Sequence, residues 1–100
     1  MSEEQIYPGG WSETKDADGE AHGICNQVKP EVEKKTGKSF KVFTAVQYRS
    51  QVVSGMNYCI KVHVGGDRYL HLTVWRKLSG ETQLTDLEGD HKIDDPIIPA

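Results

Sequence analysis

The strongest constraint on this chain is a change in its hydrophobic period near residue 39. Before that point Ala17, Ala21, Ile24, Val28 and Val32 recur every three or four positions. That spacing places them on one face of a helix. Beyond it the period drops to two. Met56, Tyr58, Ile60, Val62 and Val64 alternate with Asn57, Cys59, Lys61 and His63, and Leu70, Leu72 and Val74 repeat the pattern within 69–78. Such alternation marks antiparallel strands covered on one face. A chain that spends its apolar residues this way lays one helix on one face of an antiparallel sheet, an α+β domain.

The helix is expected within 16–35. Asp16 or Asp18 suits its start, and Lys34, Lys35 and Gly37 suit its end, while Glu20, Gln27, Glu31 and Lys34 form the polar face. Pro30 removes a backbone bond and should bend it. A strand over 40–49 has mixed parity: Phe40, Val42, Val46 and Tyr48 agree, but Phe43 and Ala45 do not, which predicts a bulge near Phe43. A weaker fourth strand is expected at 83–87. Residues 88–100, acidic and proline-bearing, read as an irregular tail. Residues 1–13, with Pro8, Gly9 and Gly10 and no periodicity, read as a flexible, extended arm. Pairing Tyr48 with Tyr58 and Val46 with Ile60 leaves Val52, Val53 and Ser54 as the first hairpin loop. Pairing Val64 with Leu70 leaves Gly66, Asp67 and Arg68 in the second, with His63 opposite His71.

One hundred residues fit a single domain over 1–100 with a modest core. Twelve basic against fifteen acidic residues give a net charge of −3. That argues against a nucleic-acid binder and against a polybasic membrane anchor. No apolar run approaches the roughly 20 residues of a membrane span. Met1 to Gln5 carries two glutamates and no apolar stretch follows, unlike a secretory signal. Two cysteines, Cys25 and Cys59, are too few for a disulfide scaffold. Both are expected as free thiols in a reducing compartment, the cytoplasm. Cys25 lies beside the helix core stripe and should be buried and inert; Cys59 should face outward.

One loop resists this bland reading. Turns favour Gly, Asn, Asp and Ser, yet residues 51–55 read Gln51, Val52, Val53, Ser54, Gly55. Burying each valine against a partner is worth roughly 1.5–3 kcal/mol. In a meander alternate turns share an end, so this loop and the one near Leu78, Ser79 and Gly80 should lie together, with Trp75 close by. Such an apolar edge is a candidate interaction site.

These residues resemble a known family. The 51–55 stretch is similar to the Gln-Val-Val-Ala-Gly loop of cystatins, and 45–63 (AVQYRSQVVSGMNYCIKVH) looks like a stefin, the intracellular single-domain type. Pro8, Gly9 and Gly10 followed by Ser12 and Glu13, and Val28, Lys29 and Pro30, are similar to the stefin N-terminus and helix. The resemblance implies a cystatin-like fold, with one long helix on a curved antiparallel sheet of four to five strands. It implies reversible, tight inhibition of papain-like cysteine proteases, including lysosomal cathepsins, and no enzymatic activity. It implies a wedge of three parts: Pro8, Gly9 and Gly10; Gln51, Val52, Val53, Ser54 and Gly55; and Leu78, Ser79 and Gly80. It implies a monomer with a hinge at the first hairpin, through which domain-swapped dimers can form. Ser54 departs from the family's alanine. Ser79 stands where stefins commonly have proline, the region after Leu78 is shorter, and Ala100 replaces a terminal aromatic.

Other constellations carry less. Cys59 and His63 lie four residues apart, about 13 Å on a strand, too far for a nucleophile–base pair. His63 and His71 lack a third ligand and read as a solvated pair. No catalytic residue, metal or cofactor is assigned. The alternative function is a cystatin-fold interaction module without inhibitory activity; a thiol enzyme is a third.

Overall fold

The computed structural model describes residues 10–99. A short strand β1 (Lys15–Asp16) precedes helix α1 (Gly19–Thr36), and four strands follow: β2 (Thr44–Val53), β3 (Gly55–His63), β4 (Tyr69–Arg76) and β5 (Thr82–His91). The sheet is an antiparallel meander in the order β1-β2-β3-β4-β5. One helix on one face of an antiparallel meander is the architecture that the change of period predicted; β1 is a strand beyond the four that the periodicity placed.

Local chemistry sets the helix ends. Asp18 is the N-cap: its carboxylate accepts from the Ala21 N–H at 2.9 Å, which satisfies a donor the helix leaves free. Gly37 closes the other end at φ 71, its N–H donating to the Glu33 carbonyl at 2.8 Å, in the left-handed conformation glycine adopts without strain. The helix runs through Pro30 as one element. Ala21, Ile24, Cys25, Val28 and Val32 are buried against Ala45, Tyr58, Ile60, Val62, Leu70, Leu72, Val74 and Leu84. The helix N-terminus is also tied to the sheet. The Tyr48 hydroxyl donates to Asp18 at 2.9 Å, the Tyr58 hydroxyl to Glu20 at 3.0 Å, and Arg76 pairs with Glu20.

Several expectations need correction. The strand placed at 40–49 begins at Thr44, and Phe40 and Phe43 pack on the core from the preceding loop. The bulge falls at Val46, where the register shifts between Ala45 and Gln47. It explains the mixed parity: Ala45 before it and Tyr48 after it both turn towards the helix side. In the first hairpin Tyr48 faces Ile60, Ser50 faces Tyr58 and Val53 faces Gly55, so only Ser54 is left at the tip. Gly55, at φ 93, lets the chain reverse there. In the second hairpin Val62, not Val64, faces Leu70, and the turn widens around Gly65 and Gly66. His71 therefore stands opposite Lys61, not His63. Strand β5 continues to His91, so 88–91 is strand rather than irregular tail.

The outer face of the sheet is also covered. Lys61 is 2 % and His71 4 % exposed, and Cys59 is buried. The cause is the segment after β5, which crosses this face. The Lys61 ammonium donates to the Ile93 and Asp95 carbonyls at 2.5 and 2.6 Å, Arg49 donates to the Ile97 carbonyl at 2.8 Å, and Ile97 is buried. Cys59 thus points away from the helix but not into water. With the sheet between them, Cys25 and Cys59 are both free thiols. Burial pushes the Cys25 thiol up to about 12 and raises that of Cys59.

Candidate functional site

Two hairpin turns stand side by side at one end of the sheet. The β2–β3 turn carries Val52 and Val53 at 44 % and 39 % exposed. The β4–β5 turn is held by the Lys77 N–H donating to the Glu81 carbonyl and the Gly80 N–H donating to the Lys77 carbonyl, each at 2.8 Å. Gly80 sits at φ 95, and Leu78 at the tip is 82 % exposed. The expected meeting of 51–55 with Leu78, Ser79 and Gly80 at one end is what the sheet order produces.

The two turns are cross-tied. The Trp75 indole donates to the Ser54 carbonyl at 2.9 Å, and Lys77 lies 5.4 Å above the Trp75 ring. Gly55 approaches β4 so closely that a Cβ there would lie 2.2 Å from the Arg76 carbonyl oxygen. Glycine is thus required at residue 55 twice, by conformation and by contact. Behind the tip the Asn57 amide donates to the Gln51 side-chain oxygen at 2.8 Å.

The N-terminal segment joins the same end. Trp11 bridges to Gln51, the Ser12 N–H donates to the Ser50 carbonyl at 2.7 Å, and the Ser50 N–H donates to the Ser12 hydroxyl at 3.0 Å. Arg49 holds the Ser12 carbonyl at 2.8 Å. Residues 11 and 12 are therefore fastened to β2, not free as the arm reading of 1–13 had it. Gly10, half-buried, directly precedes the Trp11 bridge; Pro8 and Gly9 lie outside the described residues. Trp11, Ser12 and Arg49 are the positioning residues that sequence reasoning missed. Trp11, an aromatic directly after the glycine pair, was the available signal. Between Trp11 and Trp75 lies an open groove of about 420 Å³, floored by Gln51, Asn57 and Thr73.

The remaining titratable side chains gather elsewhere. His63 turns to the Gly66 carbonyl at 2.9 Å. His71 instead stacks on His91, ring centroids 3.7 Å apart, near Glu88. Burial, with the charges of His91 and Lys61, pushes the His71 imidazole down to about 4, so it is neutral at pH 7. No helix of the described residues is long and apolar enough to cross a membrane.

The sequence pattern of the Cystatin domain matches residues 9–94. Cystatin-B of Oplegnathus fasciatus is 46 % identical over 92 residues, covering 89 % of this chain and 92 % of that protein. Leukocyte cysteine proteinase inhibitor 1 of Sus scrofa is 49 % identical over 89 residues, covering 89 % and 86 %. Cystatin-A of Homo sapiens is 43 % identical over 95 residues, covering 92 % and 97 %. Together with one helix on a five-stranded meander, these matches place the chain in the cystatin family, in its stefin branch, and it is not an enzyme.

Proposed function

We propose that this chain is a reversible, tight-binding inhibitor of papain-like cysteine proteases, cathepsins among them, acting in the cytoplasm as a monomer. Pro8, Gly9 and Gly10, the loop at 51–55, and Leu78, Ser79 and Gly80 form one wedge that fills the active-site cleft. The observation that carries this reading is the shared end of the two hairpin turns, which presents Val52, Val53 and Leu78 to solvent. It is supported by the porcine relative, whose name is that of a cysteine proteinase inhibitor.

The physics of the wedge follows from its parts. Gly9 and Gly10 have no side chains, so backbone can pass close to a cleft wall. The valines and Leu78 supply apolar contact. The Trp75–Ser54 bond and the tight Gly55 turn fix the first loop before binding, which lowers the ordering cost. Three short segments can cover the ~800 Å² per partner of a standard interface. Inhibition by occlusion needs no nucleophile and no cleaved bond. Ser79, in place of proline, leaves the second loop the looser part of the wedge.

The test is titration against active papain with a small fluorogenic substrate. Stoichiometric, reversible loss of activity is expected. Gly9→Trp should weaken inhibition by roughly thirtyfold or more, the effect of losing one dominant contact of ~2 kcal/mol. Full papain activity at micromolar protein overturns the reading and leaves a cystatin-fold interaction module.

A further inference from the structure

On the outer face of the sheet, the first and last described segments meet at one side chain. Arg49 of β2 stands opposite Cys59 in the register with β3. The strap that follows β5 crosses this face step by step. Lys61 of β3 takes the Ile93 and Asp95 carbonyls, and then Arg49 takes the Ile97 carbonyl at 2.8 Å. The buried Ile97 side chain seats that last step. The same guanidinium also holds the Ser12 carbonyl at 2.8 Å, through its Nε–H.

Two observations give this contact a direction. Arg49 is half-buried, and among the described residues its side chain bonds to these two backbone carbonyls and to no carboxylate. A planar guanidinium fixes the direction of each N–H. The two carbonyls therefore stand in a set relation to each other. The second observation is the fastening of Ser12. Its N–H donates to the Ser50 carbonyl at 2.7 Å, and its hydroxyl accepts from the Ser50 N–H at 3.0 Å. Its carbonyl is the one that Arg49 holds. Towards the N-terminus follow Trp11, bridged to Gln51, and then Gly10. Ser12 thus anchors the arm, and one of its ties is a side chain that the strap shares.

We propose that Arg49 is a positioning residue through which the docked strap sets the course of the N-terminal arm. With Ile97 seated, the guanidinium is held on Ser12 and the arm leaves the sheet in one direction. Less order is then lost when a protease cleft takes the arm up. With the strap released, Arg49 loses its second tie and the arm binds at a greater ordering cost. Residues 92–99, outside both hairpin turns, thereby contribute to inhibition. This inference rests on the wedge reading above.

Two measurements test it. On the free full-length chain, amide hydrogen exchange at Ser12 and Ser50 reads the fastening itself. Ile97→Asp and Arg49→Gln should each speed exchange at both amides about tenfold, while the amides of α1 keep their wild-type rates. On the papain complex, the dissociation rate reads the consequence. Each variant should speed dissociation about tenfold. In the Gly9→Trp background, where the arm contact is already lost, each should change it by less than about twofold. A purely structural role would speed dissociation equally in both backgrounds. That result, or Ser12 and Ser50 amides unmoved by Ile97→Asp, would overturn the coupling. Should Ile97→Asp melt early, Ile97→Ala carries the same measurements. A wild-type chain that leaves papain fully active overturns the wedge reading instead, and the exchange rates still decide whether the strap fastens the arm.

Discussion

The two faces of the sheet are buried by different means. The helix face is closed by apolar contact: Ile24, Val28 and Val32 against Ile60, Val62, Leu72 and Val74. The outer face is closed by a strap whose carbonyl groups take charges from Lys61 and Arg49. Apolar burial is non-directional and grows with area. A buried ammonium demands specific acceptors, because its uncompensated charge is costly. The first face therefore folds from pattern alone, and the second only when one segment is in register with particular side chains.

The sharpest break in this comparison is Ile60→Ala, a large-to-small change at a fully buried position on the helix face. It should cost about 2–5 kcal/mol and lower the melting temperature by about 10 °C or more, read by calorimetry. Lys61→Met on the outer face should cost less, about 2 kcal/mol for the lost charge-assisted bonds, but should free the strap. Thiol labelling under native conditions measures that directly. Cys59 should react at least about tenfold faster in the variant, while Cys25 under the helix stays protected. Equal labelling of the two thiols would show that both faces open together.

The smallest effect concerns the helix cap. The Ala21 N–H, with the Tyr48 hydroxyl, holds the Asp18 carboxyl below its ordinary 3.8. A lowered folded-state value means that the unfolded chain takes up the proton first. The stabilisation is complete above 3.8 and disappears as pH falls through the folded value. Asp18→Asn keeps a capping side chain but cannot titrate, so it should melt within about 1 kcal/mol of wild type at pH 6. Its melting temperature should fall less than that of wild type between pH 4 and pH 2. Parallel pH profiles would remove Asp18 from the acid response.

The same contrast governs what could be read from residues alone. The helix stripe and strands β3 and β4 follow from periodicity, and the exposed valine pair from its place at a hairpin turn. Val46 did not, because a bulge changes parity without any marker residue. Cys59, Lys61 and His71 were misplaced for a different reason: alternation says which side of a sheet a residue takes, but not whether a distant segment later covers that side. Ile97, paired with Ile98 between two prolines, gave no periodic signal of its docking. At the candidate site, resemblance supplied the loop residues, whereas Trp11 and Arg49 emerged only when β2 was seen to hold the N-terminal segment.

The cross-tie from Trp75 to Ser54 has a practical consequence. The chain has two tryptophans, Trp11 and Trp75, and both line the groove beside the first hairpin turn. The tryptophan emission of this protein thus originates wholly at one end. A molecule that seats on that end alters the light from both indoles, while events at the histidine cluster occur away from either. The domain carries its own optical gauge for engagement, and it needs no dye or tag.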